Sequence, residues 1–263
     1  MIDKIRNAFF EALPQEKIRT LLAQQQTITL EQFTGSSLSL LLSEAATVNS
    51  RLLVVTPDIE SATSYASDLQ VLQGDDPLLI FPPTRRRPYD DQKIPDLSTS
   101  VQRSDVLEKL KSETSSIVIT SADAICEKLI SSEEFQAHSF LIQSGDHLSP
   151  ADLSERLADQ GYRPVRFVDE PGEYAIRGGI FDIYPFSSEY PVRLEFFGDE
   201  IESLREFDTD SQRSISFLNE IRLVPDAAAA SSSEKQSLFD YLPDDTLVLL
   251  HLAYLMRTEI SLY

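Results

Sequence analysis

Residues 172–214 read GEYAIRGGIFDIYPFSSEYPVRLEFFGDEIESLREFDTDSQRS, and their pattern decides half of the fold. Ile176, Ile180 and Tyr184 alternate with Arg177, Phe181 and Ile183. Val192, Leu194 and Phe196 alternate with Arg193, Glu195 and Phe197, and Ile201 and Ser203 with Glu202 and Leu204. Alternation with period two is the signature of half-buried strands. Gly198-Asp199 reads as a tight hairpin turn and Pro185 to Pro191 as a longer loop. The expectation is an antiparallel meander of three strands. Successive side chains point to opposite faces, so Arg177 and Phe181 are expected on one face of one strand. Arg193, Glu195 and Phe197 are expected on one face of the next. One side then serves a core and the other is free.

Upstream, strand and helix patterns alternate. Residues 2–24 have helical spacing, split at Pro14. TITLEQF (27–33) is strand-like and ends at Thr34-Gly35-Ser36-Ser37, before the helical LSLLLSEAA (38–46). RLLVVT (51–56) is an apolar run of the kind that parallel strands buried on both faces show. A helix from Asp58 to about Leu72, a strand PLLIF (77–81), a helix from Val101 capped by Ser100, a strand SIVIT (116–120) and a helix over 122–130 follow. This order predicts a mostly parallel, doubly wound sheet over about 27–130. Ser149-Pro150 opens a helix that Gly161 ends, AAAASSS (227–233) reads as a linker or as a helix start at Ser233-Glu234, and TLVLLH (246–251) returns the chain to the first sheet. The predicted class is α/β, a parallel sheet with helices plus an inserted α+β domain carrying the meander.

The net charge of -20 makes the chain repel phosphate backbones as a whole, which argues against non-specific nucleic-acid binding as its main work. One cysteine, Cys126, precludes an internal disulfide framework and fits a reducing cytoplasm. His138, His147 and His251 are scattered and form no zinc pattern, so neither metal nor cofactor is expected. The start carries no secretory h-region, and no run approaches the roughly 20 apolar residues of a membrane span. The apolar ending at Ser261-Leu262-Tyr263 suggests a fragment of something longer.

The turn at 30–46 stands where a P-loop would. Against GxxxxGK[ST], Gln32 and Ser37 replace the glycines and Leu38 the lysine; Gly35 lies between them, and only Ser39 fits. Leucine supplies no charge to a phosphate, so a plain strand-to-helix turn is the expectation. Arg85 to Arg87 form the dense basic cluster, but Asp90-Asp91 follow directly, which favours a solvated loop over a nucleic-acid contact. Carboxylates from Glu195 to Asp210 sit among arginines and read as a charged surface. Asp182 falls among apolar neighbours, where an unpaired charge is costly; hydrogen bonds from a turn or an arginine are expected. Cys126 reads as packing. The Arg177/Phe181 and Arg193/Glu195 face reads equally as a solvated surface or as an interaction surface, since Arg with aromatics is the composition of interface hot spots.

GEYAIRGGIFDIYP, YPVRLEFFGDEIESLREFD and DSQRS closely resemble the signature shared by the bacterial excision-repair helicase UvrB and the transcription-repair coupling factors (Mfd). TGSSLSLLLSEA, RLLVVTPDIESATSYASDL, FPPTRRRPYDDQKIPDLSTSVQRSDVLEKL and IVITSADAI extend the resemblance more weakly over nearly the whole chain. UvrB keeps a working P-loop and the coupling factors' N-terminal module does not, so Leu38 points to the latter. The resemblance implies three parts: a degenerate helicase-like domain over 1–134, an inserted UvrA-binding domain over 135–214, and a return segment over 215–263. It implies a non-catalytic module that recruits UvrA in nucleotide excision repair, with contacts at Arg177, Phe181, Arg193 and Glu195 and a further one at Arg163 or Arg166. The alternative it leaves is a nucleotide-dependent, UvrB-type DNA-remodelling enzyme. Pro82 to Leu97 is too short and too polar to replace the UvrB hairpin that enters DNA. The family further implies that a C-terminal domain of the parent masks the UvrA face, and that RNA polymerase and DNA are engaged through domains absent here.

Overall fold

A computed structural model describes residues 7–11, 15–23, 28–31, 33, 35–73, 78–84, 97–112, 116–227, 235–252 and 257–262. The chain divides into two compact units, Met1–Pro83 with Lys109–Glu127 and Ser237–Tyr263, and Thr84–Glu108 with Lys128–Gln236. Arg85 to Arg87, Gln32 and most of the 227–233 linker lie outside the described residues.

The first unit is an α/β layer structure. The apolar runs become strands β2 (Arg51–Thr56), β3 (Leu78–Phe81), β4 (Ser116–Ser121) and β15 (Leu247–Leu252). They pair in parallel in the order β15-β2-β4-β3. The return of 246–251 to the first sheet is thus realised, with Leu249 opposite Val54. The sheet is mixed, because β16 (Arg257–Leu262) runs antiparallel to β15 and β1 (Ile28–Glu31) antiparallel to β16. Helix α2 (Ser37–Val48) is buried without interruption from Leu38 to Ala45. Five of these eight residues are apolar, and two of the polar ones are paired, Ser39 with Asp68 and Glu44 with Arg19. Leu41, Leu42 and Ala45 meet Leu52, Val54, Ile117, Ile119 and Leu249 of the sheet and Ala62 and Leu69 of α3 (Ile59–Gln73). The helix expected over 122–130 is one turn, Ala122–Ile125. Leu129–Ile130 forms instead a short strand, β5, paired with β14 (Lys235–Gln236).

The second unit is built on a six-stranded sheet, β12-β11-β10-β9-β8-β7. Its strands are β7 (Arg163–Pro164), β8 (Glu173–Arg177), β9 (Ile180–Tyr184), β10 (Val192–Phe197), β11 (Glu200–Phe207) and β12 (Ser214–Leu218). The expected three-strand meander is therefore five antiparallel strands, β8 to β12, with β7 added parallel to β8. A helix, Pro150–Asp159, precedes the sheet; Ser149 caps it, accepting the Asp152 N–H at 3.1 Å. Gly161 follows it at a φ of 88°. The Tyr162 hydroxyl ties the strand region down by donating to the Val224 carbonyl (3.1 Å) and accepting the Phe186 N–H (3.3 Å). Burial pushes that hydroxyl's pKa upward.

Residues 176–184 are not one strand, which corrects the expected placement of Phe181. Arg177 and Ile180 close a two-residue hairpin over Gly178-Gly179. Gly178 has a φ of 62°, and a Cβ at Gly179 would stand 2.9 Å from the Phe196 carbonyl oxygen. Counting by twos fails across a turn, so Phe181 lies on the face opposite Arg177. There it sits in a row Ile176–Phe181–Leu194–Leu204–Leu218 across five strands and is 0% exposed.

Candidate functional site

The other face of this sheet carries two cross-strand rows. In the first, Ala175, Asp182, Arg193, Arg205 and Phe217 stand directly opposite one another from β8 to β12. In the second, Arg177, Ile180, Glu195 and Ser203 do the same from β8 to β11. Facing residues on neighbouring strands lie close enough for their side chains to interact. The polar groups in these rows pair with one another in a lattice, apart from Arg205 Nε, which is buried without a hydrogen-bond partner.

Asp182 is its centre. It is 1% exposed and accepts from Arg193 Nε at 2.7 Å and Arg193 Nη2 at 2.9 Å. Arg177 Nη2 donates to the same carboxylate from the other side. Asp182 thus accepts from two arginines, the partner type expected for it. The bidentate fork fixes the plane of Arg193 as well as its distance. That guanidinium also donates to Gln212 Oε1 at 2.9 Å and lies over the Phe207 ring, 4.3 Å from its centroid. Asp182 holds the Arg193 pKa above its ordinary value, chiefly through the hydrogen bond. Arg193 is thereby committed inward.

Arg177 is the more open of the two. Its guanidinium lies 4.6 Å from the centroid of Phe167, whose ring is 54% exposed and also carries Arg166 at 5.6 Å. The segment holding Phe167 is anchored by Val165 and Val168, which pack with Ala175, Phe207 and Tyr184. Arg166 is exposed. Arg163 is exposed too and reaches Glu173 at 3.3 Å and Glu170 at 3.7 Å. Glu195 accepts from Ser203 Oγ at 2.8 Å and from Arg205 Nη2. The structure thus brings Arg177, Arg193 and Glu195 onto one face with Arg166 at its edge, and places Phe181 behind it.

Phe167, Arg205 and Phe217 join this face without having been singled out in the sequence. Arg205 was hidden by a bulge. The pairs Phe197↔Glu200 and Phe196↔Ile201 continue as Glu195↔Ser203, so Glu202 is an extra residue in β11. Counting from the turn without it would put Leu204 outward and Arg205 inward. Phe167 was hidden because the segment between β7 and β8 has no strand period.

In the turn compared above with a P-loop, Leu38 belongs to the core cluster of the first unit. Ser39 is 0% exposed and donates its hydroxyl to Asp68 Oδ2 at 2.7 Å. Gly35 adopts a φ of 56° in the turn before α2, and Ser37 begins that helix. Among the described residues no three His, Cys, Asp or Glu side chains gather as metal ligands, and no helix is long and apolar enough to cross a membrane. Cys126 is exposed rather than packed.

The family model described as the UvrB interaction domain matches residues 140–228, which contain the whole of this face. The chain is 34% identical over 197 residues to the transcription-repair-coupling factor of Bacillus subtilis, covering 74% of this chain and 17% of that protein. It is 35% identical over 188 residues to the Haemophilus influenzae protein of the same name, covering 71% and 16%. It is 30% identical over 197 residues to that of Escherichia coli, covering 74% and 17%. The chain therefore spans about a sixth of the length of these curated relatives. Residues 140–228 belong to the UvrB interaction domain family, and the chain is a homologue of part of the transcription-repair-coupling factors.

Proposed function

We propose that this chain is a protein-docking module that recruits UvrA to lesions at which transcription has stalled, without itself hydrolysing nucleotide. The observation that carries this reading is the open sheet face on which Asp182 fixes Arg177 and Arg193, within the stretch matching the UvrB interaction domain. A guanidinium held rigidly before binding loses little freedom on capturing a carboxylate, so the contact favours affinity. Arg177, Arg166, Arg163 and Glu195 form the contacting edge. Arg193 and Phe181 support it, the one from within the lattice and the other from the apolar side. The Ser39–Asp68 hydrogen bond and the buried Leu38 support a site without nucleotide.

In the longer parent protein, DNA and RNA polymerase would be engaged by other segments. A C-terminal domain covering the same face would restrain UvrA binding until the parent is activated. The parent would act in the cytoplasm.

Calorimetry of purified UvrA against this chain should show a complex that Arg177→Glu abolishes; that variant should stay folded by circular dichroism at a lowered thermal midpoint, because Asp182 loses a partner. Reversing a central charge costs on the order of 2 kcal/mol or more. Retained affinity in that variant would sink the assignment of the face.

A further inference from the structure

The arginine corner is one part of a wider sheet face. Five strands spaced about 4.8 Å apart make a face about 19 Å across, and six residues of strand run about 20 Å, a footprint of roughly 400 Å². A stable complex covers about 800 Å² on each partner. Arg177, Arg166 and Phe167 alone, at the β8 edge, fall well short of that. A partner held there must reach past this corner to the exposed side chains elsewhere on the face.

Phe217 stands on the far strand, β12, and Phe197 at the end of the middle strand, β10, beside the Gly178-Gly179 turn. They are 76% and 74% exposed, the two most exposed large apolar side chains among the described residues. Phe217 closes the row that begins at Ala175 and is opposite Arg205. Phe197 is on the same side of β10 as Arg193 and Glu195, opposite Glu200 at the hairpin. Both rings share the face that carries Arg177, so a partner docked there meets them. Between them Arg205 and Glu195 neutralise each other, leaving Arg177 as the cationic corner. Self-association through the rings is opposed by the chain's net charge of -20.

We infer that Phe197 and Phe217 are the apolar anchors of the docking face. They would receive a partner surface that presents apolar side chains at two points and carboxylates toward Arg177. This rests on the reading that UvrA docks here, and it makes the rings, rather than the arginines alone, the determinants of its affinity. Aromatic side chains that lose water on binding then add to what the Arg177 contact supplies.

The test is calorimetry of UvrA against the full chain and its Phe197→Ser, Phe217→Ser, double and Arg177→Glu variants, with gel filtration of each chain alone. Both residues are exposed, so thermal midpoints should not move. Each single variant should weaken the complex about tenfold or more, and the double variant should lose it. Unchanged affinity in both single variants, with Arg177→Glu inactive, overturns the anchors and leaves the docking reading standing. Unchanged affinity in all variants overturns both. A dimer of the unbound chain that Phe217→Ser dissolves assigns the rings to self-association and also overturns the inference.

Discussion

Asp182 shows how one residue sets the character of a surface. Its carboxylate is almost fully buried yet accepts three charge-assisted hydrogen bonds from two arginines. Removing one partner of a buried ionic cluster leaves the others uncompensated. Asp182→Ala is therefore expected to destabilise the second unit by about 3 kcal/mol, read from urea denaturation. By contrast, the pair Arg163–Glu170, at 3.7 Å and half exposed on both sides, should contribute less than about 1 kcal/mol. The role of Asp182 was legible in the sequence, since a charge inside IFDIY has to find a partner. The position of Phe181 was not. Its assignment assumed an unbroken strand from Ile176 to Tyr184, and parity reverses at the Gly178-Gly179 turn.

Two hairpins of one kind frame the face at the scale of elements. Gly178-Gly179 joins β8 to β9 and Gly198-Asp199 joins β10 to β11, each with a positive φ at its first residue. The second was readable because Gly-Asp sits between two clear alternations. The first was not, since RGGI interrupts no apolar period. Gly179 also lets β10 approach, its carbonyl accepting the Phe196 N–H at 2.7 Å. Gly179→Ala must move Phe196 or its own strand, and a loss of about 1–3 kcal/mol is expected in thermal or urea unfolding. The bulge at Glu202 was beyond sequence reading for a different reason. One extra residue exchanges the two faces of a strand without altering its composition. Here it turns Arg205 outward and seats Leu204 in the core.

Across the whole molecule, the parallel strands were the most legible feature, because RLLVVT, SIVIT and TLVLLH are apolar on both faces. The antiparallel strands β1 and β16 that complete the sheet depend on pairings distant in sequence. The first unit also carries a titratable group. His251 packs edge-on against Tyr65, with Nδ1 3.3 Å from its hydroxyl, and burial holds its pKa below the ordinary value. The unfolded chain then takes up a proton near pH 6.5 before the folded chain does. Stability from this group is complete above that range and is lost as pH falls through it toward the folded value. The urea midpoint should decline as pH falls below about 6.5, and His251→Gln should flatten that part of the slope. Leu38 and Ser39, finally, show how packing can exclude a chemistry. A lysine placed at 38 would have to leave the Leu41–Leu42 cluster to reach a phosphate, and Ser39 would have to release Asp68 before it could meet a metal. Each change is unfavourable on its own, so no single substitution would make a phosphate site of this turn. The packing of α2 works as a lock with at least two bolts, one apolar and one polar.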